Sequence, residues 1–224
     1  MKPHVEFKLD YKKDALNYWE ASHERMYGGK PWAVDPLIKE KIDKKSWKRS
    51  RAFLYSYLKE KYKKHSKKFE KLLKHTSEMW YLIEKDYFER LEKITKRPIY
   101  IKKFTAYLTT TGRCPYFKKD NSFMINIYSS SLLHCQIASH EIMHLQFHHY
   151  WEKSIRKKLG FKKFHDLKES LTTLLNEEFL DLIVLKDEGY KVHKRLREFI
   201  STQWKKYEDF DKVVDVSVKY LNKK

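Results

Sequence analysis

Hydrophobic positions recur at helical spacing through most of the first hundred residues. Leu54 and Leu58, four residues apart, fall on one face of an α-helix. The pattern predicts three helices in this region: one around residue 18 that ends near Gly28, one from about residue 46, and one over about 78–94. The aromatic residues of these helices, Phe53 and Tyr57 among them, are interpreted as core and inter-helix packing.

The pattern changes after Pro98. Residues 99–111 are rich in β-branched and aromatic side chains, and so are residues 123–128, with turn residues at Gly112 and Asn121 between them. Short segments of this composition are typical of β-strands. We therefore expect a short antiparallel sheet immediately ahead of the next helix.

From residue 129 onward the pattern is helical again. Serines at 129–131 offer a helix N-cap. The predicted helices cover 132 to about 157, 164 to about 187 with Gly189 as its end signal, about 191–207 and about 210–221. The expected fold class is α+β and mostly helical. We divide the chain into a helical N-terminal region, residues 1–97, with no assigned role, and a region of residues 98–224 that contains the sheet.

Composition favours a folded, soluble protein. Hydrophobic residues make up 41% and aromatic residues 16% of the 224 residues, enough for a sizeable core. No run of about 18 apolar residues is present, so we expect no membrane span, and the charged N-terminus predicts no secretory signal. Cys114 and Cys135 are too few for a disulfide framework or a cysteine-based zinc site. A cytoplasmic protein with reduced thiols is expected.

The chain is strongly basic, with a net charge of +19. Between Lys48 and His75 there are 11 Lys and Arg residues against Glu60 and Glu70. Two interpretations stay open: a solvated basic helix, or a surface for an anionic partner such as nucleic acid. Lysine rather than arginine dominates the excess, which weakens the second interpretation because Arg is the usual residue for bidentate phosphate contacts.

The most specific chemical signal is the segment from His140 to His144, which has the form HExxH. On a helix, residues four apart lie on the same face, so both imidazoles can reach one metal ion. Glu141 lies between them in position to act on a metal-activated water. This motif predicts a zinc site with one Zn²⁺ per chain.

A catalytic zinc ion usually has three protein ligands, so a third must be found. The extension that supplies a third histidine needs Gly and His where this chain has Phe147 and Tyr150. A carboxylate from the following helix is the better candidate, since Glu169, Thr173 and Asn176 form a polar stripe at i, i+4 and i+7. The alternatives Glu177 and Glu178 stay open. The nearby histidines are assigned to structural, capping or surface positions: His134, His148, His149 and His165.

This set of residues resembles the gluzincins, zinc metallopeptidases whose third ligand is a glutamate on a downstream helix. The resemblance covers roughly residues 98–224 and implies a zincin-like domain in which a strand ahead of the active-site helix holds the substrate. It implies His140, His144 and Glu169 as zinc ligands and Glu141 as general base. The aspartate that often follows the glutamate ligand by four positions is Thr173 here. Tyr190 and His193 are the candidates for stabilising the oxyanion.

The leading functional hypothesis is a zinc-dependent metallopeptidase, a hydrolase that acts on a peptide or protein substrate. One alternative is a non-catalytic binding module with a degenerate HExxH segment. Another is a protease that reaches nucleic-acid-bound proteins through the basic stretch between Lys48 and His75.

Overall fold

The computed structural model describes residues 2–25 and 29–223. In chain order the elements are β1 (His4–Leu9), α1 (Tyr11–His23), α2 (Pro36–Ile42), α3 (Trp47–Lys64), α4 (Ser66–Thr95), β2 (Lys103–Thr109), β3 (Tyr116–Phe117), β4 (Ser122–Asn126), α5 (Ser131–Leu171), α6 (Leu174–Glu178), α7 (Leu180–Ile183), α8 (Lys194–Tyr207) and α9 (Phe210–Asn222). The expected α+β class with helix predominating is confirmed. The first helix ends at His23, and the predicted end near Gly28 lies outside the described residues.

The chain forms two compact units, each assembled from separate segments. The first unit contains the residues up to His4, Trp80–Phe104 and the residues from Cys135 onward. The second contains Val5–Met79 and Thr105–His134. The sequence-based division between residues 97 and 98 falls inside Trp80–Phe104, a segment of the first unit. Two helices, α4 and α5, contribute residues to both units.

The sheet lies almost wholly in the second unit and has the strand order β1-β2-β4-β3. Strands β2 and β4 are parallel, with Thr105 opposite Ser122, whereas β3 is antiparallel to β4. The predicted antiparallel sheet is therefore wrong, because the hairpin partner of β4 is the two-residue β3 and not β2. Strand β1 was not predicted from the sequence, although Val5 and Phe7 are its buried positions and alternate with charged ones.

Helices α1, α2 and α3 pack around a shared apolar cluster in the second unit. Leu54 and Leu58 of α3 are fully buried there against Tyr18 of α1. Asp14 of α1 is buried as well and accepts hydrogen bonds from the Thr110 backbone at 3.0 Å and from the Tyr62 hydroxyl at 3.0 Å. The face of α3 opposite this cluster faces solvent.

In the first unit, α5 is interrupted at Gly160, whose φ of 72° and ψ of −178° are not helical. The part of α5 after Gly160 packs back on the part before it, with the rings of Phe147 and Phe164 stacked 5.7 Å apart. This reversal brings Glu169 towards the two histidines of the HExxH segment. Glycine permits it because only a residue without Cβ adopts this backbone conformation at low cost.

The predicted continuous helix from 164 to about 187 is wrong. The second part of α5 ends at Leu171, and two short helices, α6 and α7, follow it. At this break the hydroxyl of Thr172 donates to the Glu169 carbonyl at 2.8 Å, a local bond that competes with helical pairing. Helices α8 and α9 confirm the last two predicted helices, with Phe210 packed 4.8 Å from the Trp151 ring. Across residues 2–25 and 29–223, no helix has the length and apolar character needed to cross a membrane.

Gly160→Ala is expected to lower the free energy of unfolding by about 1–3 kcal/mol, the usual cost of holding a non-glycine residue in such a conformation. A Cβ at position 160 would meet nothing within 4 Å. The loss of stability would therefore come from the backbone conformation and not from a steric clash. Gly112→Ala is the matched control, because a Cβ there also has open space and its φ is outside the left-handed region. Urea denaturation of both variants measures the difference. Equal midpoints for the two variants would contradict the role of Gly160.

Candidate metal centre

Three side chains of the first unit converge on one point. His140 and His144 lie one turn apart before Gly160, and Glu169 lies after it. Their ligand atoms are all within 4.8 Å of one another. His140 Nε2 is 3.7 Å from Glu169 Oε2, and His144 Nε2 is 3.4 Å from Glu169 Oε1. Two ligands bound tetrahedrally to one zinc ion lie about 3.4 Å apart, so the two histidine–glutamate separations are close to those of a single ion, and the widest ligand separation, within 4.8 Å, would shorten on binding.

The alternative ligands Glu177 and Glu178 point elsewhere. Glu177 accepts a hydrogen bond from Ser201 Oγ at 2.5 Å, and Glu178 accepts one from Trp204 Nε1 at 2.6 Å. Among the described residues, His140, His144 and Glu169 are the one group of three or more His, Cys, Asp and Glu side chains close enough to share an ion.

His140 is oriented by Asp187, a residue that the sequence did not bring forward. Its Nδ1 lies 2.5 Å from Asp187 Oδ2, which leaves Nε2 directed at the site. Asp187 is itself held by Arg197, whose Nη2 is 3.1 Å from Asp187 Oδ1. Gly189 has a φ of 60°, and a Cβ there would come within 2.7 Å of the Arg197 guanidinium. A carboxylate on the far nitrogen of a metal-binding histidine is a common supporting contact.

The pKa values of the two histidines are shifted in opposite directions. Burial lowers the pKa of His140, but the charge and hydrogen bond of Asp187, the hydrogen bond of Glu169 and the charge of Glu141 together outweigh burial and raise that pKa to about 10. For His144, burial dominates and holds the pKa well below its usual value. His144 is therefore a neutral ligand at any physiological pH, whereas His140 has to release a proton before its Nε2 can bind a metal.

Glu169 has a buried neighbour that the sequence pattern does not indicate, Lys168. The Lys168 side chain is 1% exposed, and its Nζ lies 2.6 Å from Glu169 Oε1. Burial alone would raise the pKa of Glu169, but His144, His140 and Lys168 together hold it far below the usual range. His165, assigned to the surface or a cap, lies with Nε2 only 3.8 Å from Glu169 Oε1. Glu169 is thus an anion at neutral pH.

Glu141 is the remaining carboxylate of the centre. It is 8% exposed, and burial raises its pKa to about 7. Its Oε2 atom is buried and has no hydrogen-bond partner among the described residues. Buried carboxylate oxygens are almost always hydrogen-bonded. This atom can therefore accept a hydrogen bond from a small polar molecule next to the histidines.

The two oxyanion candidates differ in their surroundings. Burial raises the pKa of Tyr190, and the charges of Glu169 and Glu141 raise it further. Tyr190 also lines a cavity of about 540 Å³ together with Asp187. His193 is buried, with Nε2 3.1 Å from Asp166 Oδ1, and belongs to the supporting structure.

Other residues considered from the sequence lie outside the group of three. His134 is buried between Thr76 Oγ1 at 2.6 Å and the Asn126 carbonyl at 2.9 Å. His148 pairs with Glu152 at 2.9 Å. Burial raises the pKa of Cys135 to about 11, which disfavours a thiolate nucleophile.

Comparisons with models of known protein families, with curated proteins and with solved structures found no match to this chain. They neither support nor oppose the resemblance to gluzincins. The interpretation of the centre therefore depends on its own residues: a neutral histidine, a histidine held by a carboxylate, an anionic glutamate, and a buried carboxylate beside them.

Proposed function

We propose that this protein is a zinc-dependent metallopeptidase in which His140, His144 and Glu169 hold one Zn²⁺ and Glu141 is the general base. The observation that carries the proposal is the buried, unpartnered Glu141 Oε2 beside a His–His–Glu group of ligand spacing. Two histidines and a glutamate are a recurrent ligand set of catalytic zinc, and they leave one coordination position open for chemistry.

The residues around the ion account for the steps of peptide hydrolysis. Zinc, when bound, lowers the pKa of a water molecule and polarises the scissile carbonyl. Glu141 takes the proton of the attacking water and passes it to the leaving amine. A pKa of about 7 suits both roles, because the group can gain and lose a proton near neutral pH. Tyr190 is the donor that we assign to the oxyanion of the substrate.

Metal analysis together with a peptide-cleavage assay tests the proposal. Natively purified protein is expected to contain about one zinc per chain and to cleave members of a quenched fluorescent peptide library. A chelator should abolish cleavage, and added zinc should restore it. Folded protein that holds no stoichiometric metal, even after zinc is added, would favour the non-catalytic module instead.

Asp187→Asn is expected to weaken zinc binding about 10–100-fold, the usual effect of removing a partner of a ligating histidine. The amide keeps the shape of the side chain but removes the charge that fixes His140. Competition with a chromophoric chelator measures the affinity. Asp181→Asn is the matched control, since Asp181 pairs with Arg90 at 2.5 Å and does not contact the centre. An unchanged affinity in Asp187→Asn would show that the carboxylate does not act on the metal.

Zinc affinity is expected to increase about tenfold for each pH unit between about pH 7.5 and pH 9. With its pKa raised to about 10, His140 is protonated in the metal-free protein over this range, and binding must displace that proton. Lower pH therefore weakens binding. Titration in buffers of differing ionisation enthalpy should detect one proton released per zinc. In Asp187→Asn the pKa of His140 should fall, so zinc affinity should depend less steeply on pH. If zinc affinity in the wild-type protein did not change with pH over this range, His140 would not be a ligand that loses a proton on binding.

A further inference from the structure

A cleft in the second unit combines partly exposed aromatic rings with lysines that form no ion pair with a carboxylate of the described residues, although Lys61 donates a hydrogen bond to the Tyr18 hydroxyl at 3.1 Å. It lies along the solvent-facing side of α3, up to its C-cap His65, and has a volume of about 560 Å³. The residues that line it are Phe53, Ser56, Tyr57, Glu60, Lys61, Lys64 and His65. We call it the α3 cleft. It shares no residue with the candidate metal centre.

The aromatic part of the α3 cleft is a pair of rings one helical turn apart. Phe53 and Tyr57 lie with centroids 6.2 Å apart and an interplanar angle of 26°. Because Leu54 and Leu58 occupy the buried face of α3, this pair is left at the edge of the core, and Phe53 is 39% exposed. The interpretation of Phe53 as core packing is therefore wrong. A flat apolar ring left in water is a potential stacking surface.

Two lysines, Lys61 and Lys64, line the same cleft as these rings. Lys61, Lys64 and Lys68 form no ion pair with a carboxylate anywhere in residues 2–25 and 29–223. The ammonium groups of Lys61 and Lys68 lie 5.8 and 6.0 Å from the ring of Tyr128, which is 54% exposed. Lys61 therefore lies between the cleft, which it lines, and the exposed ring of Tyr128, and Glu60 is the carboxylate among the lining residues.

We propose that the α3 cleft binds single-stranded nucleic acid, with bases stacked on Phe53, Tyr57 and Tyr128 and phosphates held by the neighbouring lysines. Exposed rings between cations match a chain in which planar bases alternate with negative charges. A duplex hides the faces of its bases, so it would leave these rings unused. An anionic membrane would engage the lysines without requiring planar rings. The proposal is independent of the metal centre.

Binding of a fluorescent single-stranded oligonucleotide of about 12 nucleotides, followed by anisotropy with the full chain, tests the stacking part. Phe53→Ala with Tyr57→Ala is expected to weaken binding about tenfold or more. Phe53→Leu should also weaken it, since leucine keeps the apolar volume but not the ring. An abasic oligonucleotide of equal length is the matched ligand: wild type should bind it less tightly, and both aromatic variants should bind it as wild type does.

The charge part is tested by salt dependence. Replacing Lys61, Lys64 and Lys68 by Gln should lower the slope of log affinity against log salt by about 2, since each phosphate contact contributes about 0.7 for single strands. The control with the same change in net charge replaces Lys153, Lys157 and Lys162, which are exposed residues of α5. The proposal is overturned if both triple variants lower the salt slope by the same amount, or if the aromatic variants bind the oligonucleotide as wild type does. It is also overturned if anionic vesicles bind the protein as tightly as the oligonucleotide does.

Discussion

Glu141→Gln is expected to keep stoichiometric zinc and to lose about a hundred- to ten-thousand-fold in kcat/KM for peptide hydrolysis, the usual contribution of a general base. The amide has the size of the carboxylate but cannot accept the proton of water. Zinc should stay bound because Glu141 is not one of the three side chains that share the ion. Removing a buried carboxylate with an unpartnered oxygen should also leave the fold intact or more stable.

The matched control is Glu152→Gln, the same chemical change on the same helix. Glu152 pairs with His148 at 2.9 Å and with Arg156 at 3.2 Å, away from the group of three. Elemental analysis and kcat/KM should be measured on the same preparations of both variants. Full turnover in Glu141→Gln would remove Glu141 from the mechanism. Loss of zinc in that variant would instead place Glu141 among the ligands.

The HExxH part of the centre could be predicted from the sequence because its geometry is local. Helical periodicity alone puts His140 and His144 on one face. Glu169 was favoured as part of a polar stripe on a continuous helix, but the helix ends at Leu171. Glu169 meets the histidines because the chain reverses at Gly160, a position that the sequence pattern marked only as a gap between two helices.

The supporting contacts could not be predicted, because they join residues far apart in the chain. Asp187 lies 47 residues from His140 in sequence, at the predicted end of a different helix. Nothing in the sequence distinguishes Arg197 from the other basic residues, of which the chain has 49 Lys and Arg in total. The burial of Lys168 is equally hidden, since a lysine next to a glutamate on a helix is usually interpreted as a solvent-facing pair.

The sheet illustrates the same limit. Strand β4 was predicted from its composition, and β2 within a longer segment. Strand β1 was not predicted because its charged residues mask the alternation of Val5 and Phe7. Strand direction depends on which segments pair. The two-residue β3 is too short to leave a clear pattern, so nothing local indicated that β2 would run parallel to β4.

His144→Ala is expected to abolish stoichiometric zinc binding, with a loss in affinity of about a thousandfold or more, beyond the 10–100-fold typical of a supporting residue. The free energy of unfolding should show the same loss of zinc binding. At a free zinc concentration about 1,000 times the dissociation constant, wild type should gain about 4 kcal/mol in the free energy of unfolding, and the variant should gain almost nothing. Since His144 is 2% exposed, the metal-free stability of the variant must be measured first.

Glu169 requires a paired substitution, because removing it alone would leave the buried Lys168 ammonium without its carboxylate and cost about 3–5 kcal/mol. Lys168→Met with Glu169→Leu removes both charges and should give a folded protein that binds no zinc. Glu177→Gln, which alters a glutamate held by Ser201, should bind zinc as wild type does. If the paired variant bound zinc normally while Glu177→Gln did not, the third ligand would be Glu177, and the reversal at Gly160 would have no part in forming the centre.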